Sequence, residues 1–169
     1  MKIPVFVSCP TTLSETQQAS RKLILDLLDG LELEPRAVGV SDFATQFPLR
    51  EVTVLARHCY CSGGVILGFE RFRIEKGIRK YSTKDPEEVQ GLGFPTPWNQ
   101  IEAGILFSSG LPLLVFKEPG IDGGIFDLGV SDVFLHEMPK SDHNKSQLSS
   151  VFLKWQADVR KHYYEFSFK

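Results

Sequence analysis

The chain has no excess of charge of either sign. Nineteen Lys and Arg stand against 21 Asp and Glu, a formal net charge of −2. A balance this even builds no field that recruits a polyanion, so no nucleic-acid partner is expected. No run approaches the ~20 consecutive apolar residues that span a bilayer, and no membrane partner is expected. The start, MKIPVFVSCPTT, lacks the long apolar segment of a secretory signal. Cysteine is scarce: Cys9, Cys59 and Cys61 cannot all pair within one chain, which points to a reducing compartment and a cytoplasmic location. A P-loop, a G-x-S-x-G elbow and an H-E-x-x-H helix are all missing, which removes the P-loop NTPases, the α/β-hydrolases and the zincins. His58-Cys59-Tyr60-Cys61 has metal-binding residue types but no second cluster to complete a site, so no metal is expected.

What is present reads as a single domain over 1–169. Hydrophobic residues make up 42% and charged residues 24%, and 13 Phe promise a well-filled core. Ile3 to Ser8 reads as a buried strand that stops at Cys9-Pro10. Ser14 opens a helical pattern that ends at Gly30. Glu32 to Val40 reads as a second strand, shortened or pushed to an edge by Pro35. Pro48 starts a helix, and Gly63 to Phe69 is a continuous apolar strand of the kind covered on both faces. Thr96 is placed as N-cap and Pro97 as first residue of a helix running to Ser109. Leu111 to Phe116 is an apolar strand, Val133 to His136 a short last one, and Gln147 to Tyr163 a closing helix. Alternation of this kind predicts an α/β fold with one doubly wound, mostly parallel sheet of about five strands. Ligands of such sheets sit beyond the carboxyl ends of the strands, so the loops after Ser8, Phe69 and Phe116 are the places to look.

Glu70 to Pro95 shows no helical periodicity and reads as a long loop at 70–95, longer than the ~12–15 residues of ordinary connections. Its first part carries Arg71, Arg73, Lys76, Arg79 and Lys80 against Glu70 and Glu75. Such a patch suits a phosphate-bearing ligand, or it is simply a solvated surface. The end of the chain, HYYEFSFK, either closes the core or offers a surface for self-association.

One residue has no obvious structural role. On a wheel of ~100° per residue, Trp98, Ile101, Ile105, Leu106 and Ser109 share an arc, and Glu102 falls inside it. A carboxylate among apolar side chains costs several kcal/mol unless it is paired or its pKa rises. Glu102 therefore either meets a buried Arg or escapes the face, or the arc lines a cleft and Glu102 is a functional group.

The segment Thr96-Pro97-Trp98-Asn99-Gln100-Ile101-Glu102-Ala103-Gly104, set between two apolar strands, resembles the Rossmann-like N-glycosidase and ribosyltransferase superfamily. That group includes nucleoside deoxyribosyltransferases, nucleotide N-hydrolases and TIR domains. Trp98-x-x-x-Glu102 looks like the W-x-x-x-E pattern of TIR domains, and Glu102-Ala103-Gly104 partly matches the E-[LI]-G-x-A pattern of the transferases. VFVSCP is similar to the first strand and loop of both. The chain departs from the transferases at Ala103 and in having no G-T before the helix, which leaves base and acceptor open.

The resemblance implies a flavodoxin- or TIR-like fold with Glu102 as catalytic carboxylate, acting on NAD⁺ or a (deoxy)nucleotide or nucleoside. Cleaving an N-glycosidic bond builds positive charge on the ribose, which a fixed carboxylate stabilises or attacks. Trp98 either stacks on a base or nicotinamide ring or packs in the core. Asn99 lies off that face and is placed to hydrogen-bond at the helix start. Ser8, Cys9 and Pro10 either contact the base or phosphate or form a tight turn. Gly68 and Phe69 end the central strand beside the cleft, where Gly68 admits a ligand or merely permits packing. Arg71 is the first cation beyond them. No cofactor is expected besides NAD⁺ or a nucleotide as substrate or ligand, and a homo-oligomer is expected. A non-catalytic module that binds a nucleotide signal, or a protein-interaction domain in antiviral or stress signalling, is the alternative.

Overall fold

A computed structural model describes residues 2–37, 47–57, 60–129, 133–140 and 145–166. The apolar runs form a five-stranded, all-parallel sheet built from β1 (Ile3–Ser8), β2 (Leu33–Arg36), β3 (Gly64–Gly68), β6 (Leu113–Lys117) and β7 (Phe134–Glu137). Their order across the sheet is β2-β1-β3-β6-β7, the arrangement of flavodoxin-like folds. Among the described residues four helices flank it: α1 (Glu15–Gly30), α2 (Pro48–Arg57), α3 (Pro97–Ser108) and α4 (Lys145–Phe166).

The central strands are continuously apolar because both faces are covered. Val5, Val7, Val65, Leu67, Leu114 and Phe116 point one way, against Ile24 and Leu28 of α1 and Phe152, Trp155 and Val159 of α4. Phe6, Ile66, Leu113 and Val115 point the other way, against Val52 and Leu55 of α2 and Ala103 and Leu106 of α3. The two-residue period of the strands thus divides one hydrophobic run between two cores.

Local chemistry sets the element ends. Ser14 and Gln17 close a reciprocal capping box at the start of α1. Thr96 caps α3 with Pro97 at its first position. The second strand starts at Leu33 because Glu32 takes a left-handed backbone (φ 57°); Val38 to Val40 of the predicted strand lie outside the described residues. The strand predicted from Leu111 pairs only from Leu113. The last strand is shifted by one residue, and α4 extends three residues beyond Tyr163.

The expected loop at 70–95 is instead largely a β-hairpin. Its strands β4 (Phe72–Arg79) and β5 (Glu87–Phe94) pair antiparallel, in a register that sets Ile74 opposite Leu92 and Ile78 opposite Glu88. Phe72, Ile74 and Ile78 share one face of β4 with Arg73, Glu75 and Arg79 on the other, an alternation that Lys76 and Gly77 interrupt. The hairpin joins the body at its base, where Gly93 bridges Ile121 and Gly93 N donates to Gly120 O at 3.0 Å. Among the described residues no helix is long and apolar enough to cross a membrane.

Candidate functional site

The chain leaves β1 toward β2 on one side and returns to β3 on the other, so the loops at the carboxyl ends of β1 and β3 diverge. A crevice at such a switch point is the usual ligand site of this topology. A cavity of about 360 Å³ lies there. The end of β1 and its loop supply Ser8, Cys9, Pro10 and Thr11. The start of α3 supplies Thr96, Trp98, Asn99 and Glu102, while Pro48 and Arg71 complete the wall.

Glu102 sits at the flank of α3, with its carboxyl group mostly withdrawn from water. Burial pushes its pKa above the ordinary carboxylate value, and the Ser8 side chain pulls back against that by hydrogen bonding. Among the described residues no Lys or Arg pairs with it, so the reading in which Glu102 neutralises a buried guanidinium is not what is found.

The buried stripe of α3 is Asn99, Ala103 and Leu106, displaced around the helix from the predicted arc. Trp98 and Ile101 are 46% and 43% exposed, so Trp98 is a cleft residue and not a core one. The displacement has a polar cause. Asn99 is buried because each end of its amide meets a partner. Its Nδ2 donates to Ser8 Oγ at 2.7 Å and lies 3.4 Å from the carbonyl of Leu67. The Thr96 hydroxyl donates to Asn99 Oδ1 at 2.9 Å. A hydrophobicity wheel does not register a satisfied amide, and so it turns the helix toward the tryptophan.

Ser8 is 1% exposed at the last position of β1. The Leu67 carbonyl only accepts, which fixes Nδ2 as the end of Asn99 facing it and Ser8. Ser8 Oγ is then an acceptor toward Asn99, and its own hydrogen is free to turn toward the nearby Glu102 carboxyl. The arrangement runs Thr96, Asn99, Ser8, Glu102 from the cap of α3 across to β1 and back. Asn99 is thereby both a wall residue and the group that orients Ser8.

Cys9 follows Ser8 with its thiol against the Pro10 carbonyl at 3.4 Å. Burial pushes its pKa up to about 11, opposed by Arg21 and reinforced by Glu102. A thiol held this firmly in its neutral form is not a nucleophile near neutral pH.

Two predicted site residues belong to the core instead. Phe69 is fully buried in the α1/α4 core. Gly68 faces the ring of Phe126, where a Cβ would stand 2.4 Å from a ring carbon. Its lack of a side chain admits Phe126 and not a ligand, because the end of β3 is roofed by the turn at Gly124–Phe126.

Arg71 does reach the cleft, and its place depends on residues that motif reading passed over. Glu118, one residue past β6, accepts from Glu70 N at 2.6 Å and from Gln17 Nε2 at 3.0 Å, which ties the base of the hairpin to α1. Glu70 is held by Arg73 through two bonds of 2.9 Å. Arg71 N donates to Phe94 O at 2.8 Å, and its Nη1 donates to the Thr12 carbonyl. Glu118 and Gln17 are joined by folding alone, with 101 positions between them in sequence. His58 and Cys59 of the H-C-Y-C segment lie outside the described residues, Cys61 is buried, and no cluster fit for a metal ion occurs among the described residues.

Searches for relatives add no identity to this geometry: no protein-family model, curated protein or solved structure matches the chain.

Proposed function

We propose that the chain cleaves or transfers the N-glycosidic bond of a nucleotide or nucleoside, NAD⁺ included, with Glu102 as the catalytic carboxylate. One observation carries the reading. Glu102 is a desolvated carboxyl group lining a cleft at the switch point of a parallel sheet, with the Ser8 hydroxyl beside it and no cation paired to it among the described residues. The resemblance of Trp98-x-x-x-Glu102 to the nucleotide-cleaving superfamily supports it.

The chemistry follows from the bond to be broken. As the C1′–N bond lengthens, its electron pair leaves with the base and positive charge grows on the sugar ring. An ionised Glu102 beside C1′ stabilises that charge, more strongly in a partly dry site than in water. It can also close on C1′ as an ester. Water then adds hydroxide to C1′, and its proton goes to the anionic base that leaves a nucleoside or nucleotide, or to solvent where neutral nicotinamide leaves NAD⁺; alternatively a second base takes the place of water. Ser8, oriented by Asn99, holds the carboxylate in one position. Trp98 offers an exposed aromatic face for the base or nicotinamide ring. Arg71 and Thr11 stand at the mouth of the same cavity.

The test is product chromatography on purified full-length chain with NAD⁺, the common nucleosides and their 5′-monophosphates. The reading expects free base or nicotinamide from at least one of them, and none above background from Glu102→Gln. Tight binding with every ligand recovered intact would favour a nucleotide-sensing module. Equal release by Glu102→Gln would remove Glu102 from the chemistry.

A further inference from the structure

Among the described residues that line the cleft, Arg71 is the cation, and its placement is not explained by the packing of the protein. Arg71 is exposed at the cleft wall, and its immediate acidic neighbours are engaged elsewhere. Glu70, the preceding residue, is occupied by a two-bond pair with Arg73. Glu118, which holds the Glu70 amide, is taken up by that N–H and by both contacts from Gln17 Nε2, at 3.3 and 3.0 Å. Among the described residues no carboxylate pairs with Arg71. Two glutamates close at hand thus both bond elsewhere and leave Arg71 at the cavity wall without either.

The guanidinium is also held in place. Its backbone N–H is fixed on Phe94 O, and one arm of the fork is anchored on the Thr12 carbonyl in the loop after β1. Five donors in a planar fork with one arm spent on a neutral carbonyl leave the others, and the charge, unpaired among the described residues and open to a bound ligand. The group that such a fork recognises is a planar carboxylate or a phosphate. A cavity of about 360 Å³ is at the small end of the ~300–1,000 Å³ of ligand sites, which suits one nucleotide unit.

We infer that the cleft takes a phosphate-bearing ligand, with Arg71 as the group that grips the phosphate, so that phosphorylated nucleosides are selected over the parent nucleosides. This rests on the nucleotide reading of the cleft and narrows it. Glu102 attends to the sugar, and Arg71 selects what the sugar carries. The hairpin supplies the reason for the long insertion between β3 and α3: its base presents the cation, and the Glu118–Gln17 clasp sets where the base stands.

Binding is measured by calorimetry on the full chain carrying Glu102→Gln, which separates affinity from turnover. The probes are adenosine, guanosine, cytidine and uridine, their 5′-monophosphates, and NAD⁺. At least one phosphorylated probe binds about tenfold or more tighter than its nucleoside, and the gap shrinks with added salt. Arg71→Gln in the same background closes the gap while nucleoside affinity stays within about twofold; Arg71→Lys, which retains the charge, keeps part of it. NAD⁺ binding at least as tightly as the mononucleotides identifies a dinucleotide ligand, and weaker binding a mononucleotide. Equal affinity for nucleosides and phosphorylated probes, no binding by any probe, or a gap that survives Arg71→Gln overturns the assignment. Base release by the wild-type chain is read separately. A phosphate preference without base release defeats the glycosidic reading and leaves Arg71 standing; release from nucleosides and nucleotides with equal efficiency does the reverse.

Discussion

Asn99 Nδ2 donates to Ser8 Oγ at 2.7 Å, and that bond decides where the Ser8 hydrogen goes. With the oxygen occupied as an acceptor, the hydroxyl has its hydrogen free for Glu102. Asn99→Asp reverses the polarity. A carboxylate at position 99 accepts the Ser8 hydrogen and withdraws it from Glu102, and it adds a like charge nearby. Both changes raise the Glu102 pKa further, so the acid limb of the pH–rate profile moves to higher pH. Activity loss is then larger at pH 6 than at pH 9. A uniform loss at every pH would mean that Asn99 only supports the fold.

Glu102 costs the fold stability. Its pKa is raised by burial, so between the unfolded value and the folded one the native state binds more protons than the unfolded state. Stability therefore falls as pH rises through that window, and the deficit stays constant above it. Glu102→Gln removes the ionisation. Its gain at pH 7.5 is of the order of the ~0.5–2 kcal/mol of single stabilising changes, and it fades below about pH 4. Thermal or urea unfolding at the two pH values checks this. A variant less stable than wild type at pH 7.5 would show that the carboxylate is better satisfied than its surroundings indicate.

Cys9 lines the same cleft but is not a reacting group. With its pKa pushed up to about 11, the thiol is neutral through the physiological range. Peptide mapping after treatment with iodoacetamide at pH 7.5 finds Cys9 alkylated far more slowly than a free cysteine. Cys9→Ala keeps turnover within about fivefold of wild type, since it removes volume from the wall and no chemistry. Loss of activity comparable to that of Glu102→Gln would contradict this.

The hairpin beyond its base contributes little to the core. Most of its residues are exposed, as befits a two-stranded ribbon, which is marginally stable by itself. Ile74 and Leu92 face each other in register, so Asn-Gly can replace residues 75–91 and close the ribbon with a two-residue turn. The shortened chain keeps Arg71, and its thermal midpoint drops by less than about 5 °C. A collapse of the fold would place the hairpin in the folding unit of the sheet.

The sheet was legible because its strands are buried on both faces and so read as unbroken apolar runs, and because Thr96-Pro97 is an unambiguous helix start. The hairpin was not. Phe72, Ile74 and Ile78 are diluted by charge, and Lys76 and Gly77 break their two-residue period, so the segment carries neither a continuous apolar run nor a helical stripe. Within the site, Glu102 stood out as a carboxylate where an apolar residue was expected. The bonds of Asn99 to Ser8, Gln17 to Glu118 and Glu118 to Glu70 are hidden in the sequence, because the partners lie 91, 101 and 48 positions apart. Gly68 stays ambiguous in the sequence because a glycine at a strand end reads the same whether it faces a ligand or, as here, the ring of Phe126.

The most direct measurement is a crystal structure of Glu102→Gln soaked with the best-binding nucleotide from the calorimetric panel. The account predicts the sugar inside the cleft, with C1′ within about 3.5 Å of the residue 102 side chain and the base against Trp98. A ligand bound with its base or phosphate at residue 102, or bound outside this cleft, would contradict it.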